Sequence, residues 1–217
     1  MGQVCWLPAS GTAPVSVTPD AVWDHLSGNA RVMNFTRGST ALTTLAYNPD
    51  GADHLVDADS LVCQFVSPVL PPQSIEAQLI ILNLLALEVA SSNNLQLSWG
   101  LRAVNEAGDS VLATLLTVGR NGVEVGTALT GASSSRTSTL ATIMEPFRLV
   151  LEVGLGGLPV NTATDTHNGS IQFGEAPASA TVPTLPQHAD TTTGGPPMLI
   201  FSNDLITSQH PMGQACQ

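Results

Sequence analysis

Pro146-Phe147-Arg148-Leu149-Val150-Leu151-Glu152-Val153-Gly154 is the stretch that decides how this chain is read. Side chains alternate across a pleated strand, so Phe147, Leu149, Leu151 and Val153 form one wholly apolar face, opposite a mixed face of Arg148, Val150 and Glu152. That is the signature of a half-buried β-strand. At about 3.3 Å per residue it spans roughly 25 Å, which suits one layer of a sandwich. Its echo is Gly169-Ser170-Ile171-Gln172-Phe173-Gly174, reached through a turn-rich run from Gly156-Gly157-Leu158-Pro159 to His167-Asn168. The expectation is two antiparallel strands joined by a long loop.

Upstream, the period-two signal begins at Arg31. Val32 to Thr36 and Ala41 to Tyr47, separated by Arg37-Gly38-Ser39-Thr40, read as a hairpin, and Asn48-Pro49-Asp50-Gly51 as a turn. Leu61 to Val66 is the next strand, stopped by Pro68 and Pro71-Pro72. Ile75 to Ala90 contains helix formers, yet both of its alternating faces are apolar apart from Asn83 and Glu88, which favours a central strand or one covered by another subunit. Asn93-Asn94 is a turn into a strand with Leu95, Leu97, Trp99, Leu101 and Ala103 on one face. Asn105 to Asp109 closes a hairpin onto Ser110 to Val118, and Arg120-Asn121-Gly122-Val123 signals another. Thr127 to Thr139, rich in Ser, Thr and Gly, is expected as a surface loop, and Leu140 to Met144 leads into the pivotal strand.

Both ends read as extended arms. Residues 1–30 carry Pro8, Pro14 and Pro19, with one short helical turn expected from Thr18 as N-cap; Trp23 could anchor the arm, though an ordinary buried aromatic is the preferred reading. From Glu175 to Pro197 the composition shifts to Pro, Ala and Thr without periodicity, Met198 to Phe201 is a last short strand, and Asp204 to Gln217 is a tail. Short strands with turns at regular intervals predict an all-β fold, a β-sandwich or jelly roll: arm 1–30, body 31–174, and a C-terminal arm 175–217 with a short final strand.

A chain of 217 residues is long enough for one domain that buries roughly 70 % of its unfolded surface. Its six basic residues are all Arg, against seventeen acids, for a net charge of −11 with only 11 % charged residues. So uncharged a surface is tolerated where it is permanently contacted, which hints at assembly; a composition bias against Lys is the alternative. The acidic balance and dispersed Arg argue against nucleic-acid binding. Met1-Gly2-Gln3-Val4-Cys5-Trp6 lacks the basic start and apolar run of a secretory signal, and Leu79 to Ala90 is too short to span a bilayer, so neither export by a cleaved signal nor a membrane is expected.

No constellation for chemistry stands out. The five His form no paired metal-ligand spacing. Asp50, Asp53, Asp57 and Asp59, with His54 among them, make one acidic cluster that offers oxygen ligands to Ca²⁺ but lacks the EF-hand register, and reads better as solvated loop carboxylates. Gly154-Leu155-Gly156-Gly157 is not a phosphate loop, since no Lys-Ser/Thr follows, and Gly131-Ala132-Ser133-Ser134-Ser135 is not a nucleophile elbow. Cys5, Cys63 and Cys216 show no metal spacing and read as free thiols, with a bridge between Cys5 and Cys216 left open. The expectation is no enzyme, no catalytic residue, no cofactor and no metal.

Ala13-Pro14-Val15-Ser16 followed by Trp23, Gly38-Ser39-Thr40-Ala41-Leu42-Thr43, Phe65-Val66-Ser67, Arg148 to Gly154 and Gly169 to Gly174, in that order, resemble a group of tailed-bacteriophage virion proteins, mostly of unassigned role. Glu175 fits the acidic position expected after the Phe173-Gly174 turn, whereas the polar tail beyond Leu205 departs from the pattern. The resemblance implies a β-rich particle component assembled in the host cytoplasm. Its expected role is a capsid decoration protein that stabilises the lattice of the major capsid protein, or contacts neighbouring virion proteins, as a homo-oligomer. The alternative is a head-fibre, neck or tail accessory protein that binds a receptor or glycan, for which Tyr47 is the one plausible aromatic platform, Trp99 reading as core. A hydrolase on a β-sandwich is the third and least supported reading.

Overall fold

The computed structural model describes residues 2–38, 41–47, 58–89, 94–157, 168–174 and 197–207. They form strands and no helix. In chain order these are β1 (Val4–Trp6), β2 (His25–Leu26), β3 (Ala30–Val32), β4 (Thr43–Tyr47), β5 (Ala58–Val66), β6 (Gln73–Ile75) and β7 (Leu79–Glu88). There follow β8 (Leu95–Asn105), β9 (Val111–Glu124), β10 (Thr130–Thr137), β11 (Ala141–Ile143), β12 (Phe147–Gly157), β13 (Gly169–Phe173) and β14 (Met198–Phe201).

Two six-stranded sheets face each other, with β6 and β11 as a separate ribbon. The pivotal strand β12 lies inside the first sheet, antiparallel to both β5 and β8; β8 pairs with β9, while the short β2 and β3 run parallel along the outer side of β5. The second sheet is built on β7. Along one side it pairs with the whole of β10; along the other it pairs with β13 near Glu88 and with β14 near Ile80. Strand β4 extends the sheet beyond β13, and β1 extends it beyond β14.

The core lies between the sheets. Phe147, Leu149, Leu151, Val153 and Leu155 of β12 join Leu97, Trp99 and Leu101 of β8, and meet Ile80, Leu82 and Leu84 of β7, Ile171 and Phe173 of β13, and Leu199 and Phe201 of β14. Phe65 and Phe173 touch across the layers edge to face, with ring centroids 4.8 Å apart. Each such side chain contributes roughly 1.5–3 kcal/mol on burial. The β-sandwich is therefore the fold, and the apolar face of Phe147 to Val153 is what closes it.

Several local expectations differ from the structure. Strands β12 and β13 do not pair with each other: they lie in opposite sheets, because Ile171 and Phe173 are buried facing the first sheet's apolar side rather than beside it. Nor do β3 and β4 form a hairpin, since β3 joins β5 in the first sheet and β4 joins β13 in the second. The Gly122 turn signal does not end a strand. Gly122 has φ +72°, but β9 continues through it to Glu124 with shifts of register against β8. The Ser- and Gly-rich run expected as a loop is instead β10, recruited because β7, apolar on both faces, needs hydrogen-bonding partners on both edges. No helical turn follows Thr18; the Asp20 side chain accepts from the Val22 N–H and makes a tight turn there.

Other expectations match in part or whole. Of the stretch Ile75 to Ala90, Leu79–Glu88 is the central strand β7, while Ile75 ends β6 in the separate ribbon, and Asn105 closes the β8–β9 hairpin by accepting the N–H groups of Gly108, Asp109 and Ser110 on one side-chain oxygen. The turn at Asn48 to Gly51 and most of the 175–217 arm lie outside the described residues. The stretch read as an N-terminal arm enters both sheets: β1 edges the second and β2 the first.

Candidate functional site

Between β1 and β2, residues 12–24 cross the outer face of the first sheet, and Glu152 holds them there. The carboxylate is 1 % exposed. It accepts from the Asp20 N–H at 3.0 Å, from Trp23 Nε1 at 2.8 Å, from Gln64 Nε2 at 2.8 Å and from Arg102 Nη2 at 2.5 Å. Arg102 Nη2 also donates to the Thr18 carbonyl at 3.0 Å. Ala13, Val15 and Val17 pack on Val66, Val104 and Val150 beside this polar centre. Gly154 leaves room for Trp23 against the strand: a Cβ there would stand 2.0 Å from the Ser60 carbonyl oxygen and 2.5 Å from the Trp23 ring. With its oxygens engaged by the chain, Glu152 is an anchor for the arm.

A second clamp sits at the far end of β12. Asp59 pairs with Arg120 through Nε at 3.0 Å and Nη2 at 3.2 Å, and its backbone exchanges hydrogen bonds with Asp24. Asp59 is the described member of the acidic cluster, and it serves as an ion-pair partner across β5 and β9; Asp50, Asp53, His54 and Asp57 lie outside the described residues. Among the described residues no three His, Cys, Asp or Glu side chains converge as a metal set. Cys5 and Cys63 are free and buried, and burial pushes both thiols up, that of Cys63 to about 12 against the opposing Arg31 charge. Cys216 lies outside the described residues, as does the side chain of Tyr47. Trp99 is core, with its Nε1 donating to Ser134 Oγ at 2.8 Å and Arg136 stacked 5.5 Å from its ring centroid.

Among the described residues, one surface with contact chemistry is at the β6–β11 end. A groove there is lined by Gln73, Glu76, Gln78, Asn203, Asp204 and Ile206. Gln73 holds the Ile206 backbone by two hydrogen bonds of 2.9 Å, and Gln78 Oε1 accepts the Asn203 N–H at 2.7 Å, so these amides secure the segment after β14. Around the groove apolar side chains face outward: Leu140 is 65 % exposed, Met144 83 % and Ile206 59 %. Pattern alone placed Leu140 to Met144 as a lead-in; that β11 would pair with β6 and turn Leu140 and Met144 out depended on which strand lay opposite.

No protein-family model and no curated protein matches this chain. Among solved structures it is similar to a CocE/NonD family hydrolase from Staphylococcus aureus (TM-score 0.43, 11 % identity, covering 93 % of this chain and 36 % of that one). It is also similar to an α-amino acid ester hydrolase (TM-score 0.40, 14 % identity, 79 % of this chain and 33 % of that one). A third likeness is to the VP2 protein of infectious bursal disease virus (TM-score 0.25, 12 % identity, 74 % of this chain and 35 % of that one). The chain spans about a third of the length of each of these structures. The expectation that the chain is not an enzyme is corrected by the hydrolase likenesses and is withdrawn. At these TM-scores the likenesses assign no residue of this chain to catalysis.

Proposed function

We propose that this chain is a structural component of a bacteriophage particle, a β-sandwich that decorates the capsid and stabilises it by binding neighbouring virion subunits. The observation that carries this reading is the outward-facing Leu140, Met144 and Ile206 at the β6–β11 end, an apolar contact surface on a molecule whose surface holds no Lys. The resemblance of the strand and turn motifs to tailed-phage virion proteins supports it. The arm fastened over Glu152 suits a module that must keep one shape while its ends are held by neighbours.

The test is purification of the chain and sedimentation alone and after mixing with capsids that lack it. Saturable capsid binding, with particles that then survive greater heat, is the expected result. Changing Leu140 to Ser together with Met144 to Gln is expected to weaken that binding at least about tenfold, the loss of roughly 1.4 kcal/mol of apolar contact. Adherence to host cells with indifference to capsids overturns the decoration role in favour of a receptor-binding position on the neck, tail or fibre.

A further inference from the structure

Three extended stretches lie side by side at the β6–β11 end. Thr142 in the middle of β11 turns outward with Ser74 of β6, their hydroxyl oxygens 3.1 Å apart. Side chains alternate, so Leu140 and Met144 share the face of Thr142, and Glu76 shares that of Ser74. Alongside β6 runs the segment 203–206, fixed to the body at several points. Leu205 is buried in the core, Gln73 holds the Ile206 backbone and Gln78 the Asn203 N–H. Asn203 Nδ2 also donates to Glu76 Oε2 at 3.3 Å. The groove along β6 and this segment, of about 450 Å³, carries the carboxylates of Glu76 and Asp204 and, among the described residues, no basic side chain.

Charge and apolar surface are interleaved here. Ala141 pairs with Ile75, which sets Leu140 and Glu76 next to them at the same end of the ribbon, so Glu76 stands between Leu140 and the 203–206 segment. A partner that covers Leu140 and Ile206 therefore covers Glu76 as well. Taking a carboxylate out of water without a counter-charge is strongly unfavourable, so the partner must bring a cation. A second copy of this chain has none to offer. It carries no Lys, and its six Arg are all engaged within the molecule. Arg31 donates to the Ala9 carbonyl, Arg37 stacks on Trp6, Arg102 pairs with Glu152 and Arg120 with Asp59, while Arg136 and Arg148 donate to the carbonyls of Trp99 and Glu106. Arg102 and Arg148 are buried and the other four half-buried.

We propose, resting on the contact role given above to this end, that the groove docks a segment of another protein, one that sets a Lys or Arg side chain beside Glu76 and Asp204 and lays apolar side chains on Leu140, Met144 and Ile206. The apolar contacts supply affinity, and the carboxylates choose the partner. A segment with Gln at the central position leaves Glu76 covered and unpaired; one with Glu sets like charges together. Selection among otherwise equal segments thus falls on the charge of one side chain.

The experiment titrates the isotope-labelled full chain with three capped peptides, Leu-Val-Arg-Val-Leu and its counterparts with Gln or Glu in place of Arg, and follows the backbone amide shifts. The Arg peptide is expected to move the amides of 73–76, 140–144 and 203–206 saturably, the Gln peptide to bind about tenfold more weakly, and the Glu peptide to leave them unmoved. Glu76→Gln with Asp204→Asn, both at exposed positions, is expected to erase the preference for Arg over Gln while keeping the weak apolar binding. Equal binding of the Arg and Gln peptides, shifts spread over the acidic surface without saturation, or a preference that survives in the double variant overturns the basic partner. Capsid binding separates this from the decoration role. Capsid binding that is lost in Leu140→Ser with Met144→Gln but unchanged in the carboxylate variant upholds decoration and overturns the cation. A peptide preference for Arg at this groove, in a chain that ignores capsids, upholds the basic partner and overturns decoration.

Discussion

Removing the Glu152 carboxylate would leave Arg102 buried with its Nη2 facing an empty site, and would free Trp23 and the Asp20 amide together. Breaking a buried pair in this way costs about 3–5 kcal/mol, more than the pair contributes over an apolar replacement, because the surviving charge stays desolvated. Glu152→Ala is accordingly expected to lower the free energy of unfolding by about that amount in urea. Limited proteolysis is then expected to cut within residues 12–24 faster than it does in the wild type. Of this centre, the sequence showed the parts and not their meeting. Trp23 was legible as a buried aromatic and Glu152 as a polar residue on a mixed face, but nothing in the spacing announces that residues 129 positions apart share a hydrogen bond.

At the scale of elements, β7 and β10 are instructive as a pair. Strand β7 is legible from its sequence because both of its faces are apolar, and it takes the central place in its sheet. Strand β10 is not legible, since Gly131 to Ser135 has little intrinsic strand preference; it becomes a strand because β7 presents a full row of backbone groups that must be paired. Leu84 on β7 is 1 % exposed, whereas Leu140 beside β11 is 65 % exposed. Leu84→Ala is expected to cost about 2–5 kcal/mol, the usual range for a core truncation. Leu140→Ser should stay within about 0.5 kcal/mol of wild type. Thermal and urea unfolding of the two variants check this contrast, and a large loss for Leu140→Ser would mean that its side chain packs within the molecule and is not free for a partner.

Over the whole molecule, distant parts of the chain close the sandwich. Strand β1 pairs with β14, Val4 opposite Ile200 and Trp6 opposite Met198, and Cys5 and Leu7 are fully buried. Deleting residues 1–7 is expected to remove two fully buried side chains and the β14 edge partner, for a loss of several kcal/mol at roughly 1.5–3 kcal/mol each. A urea midpoint lowered with the transition still single would show that this end belongs to the same cooperative unit as the body; an unchanged midpoint would make it an appendage. What the sequence by itself determined was the class: period-two alternation, together with turn residues at regular intervals, commits these segments to strands with one apolar face, and such strands must bury that face against another sheet. It also determined which side of β12 is core. What only the tertiary structure decided was the partnership of strands, the strand character of β10, and the meeting of Glu152 with Arg102. The physical reason is that alternation is a local property of neighbouring residues. Backbone pairing and the satisfaction of buried charge are instead settled by whatever the fold brings alongside, at separations the local pattern does not encode.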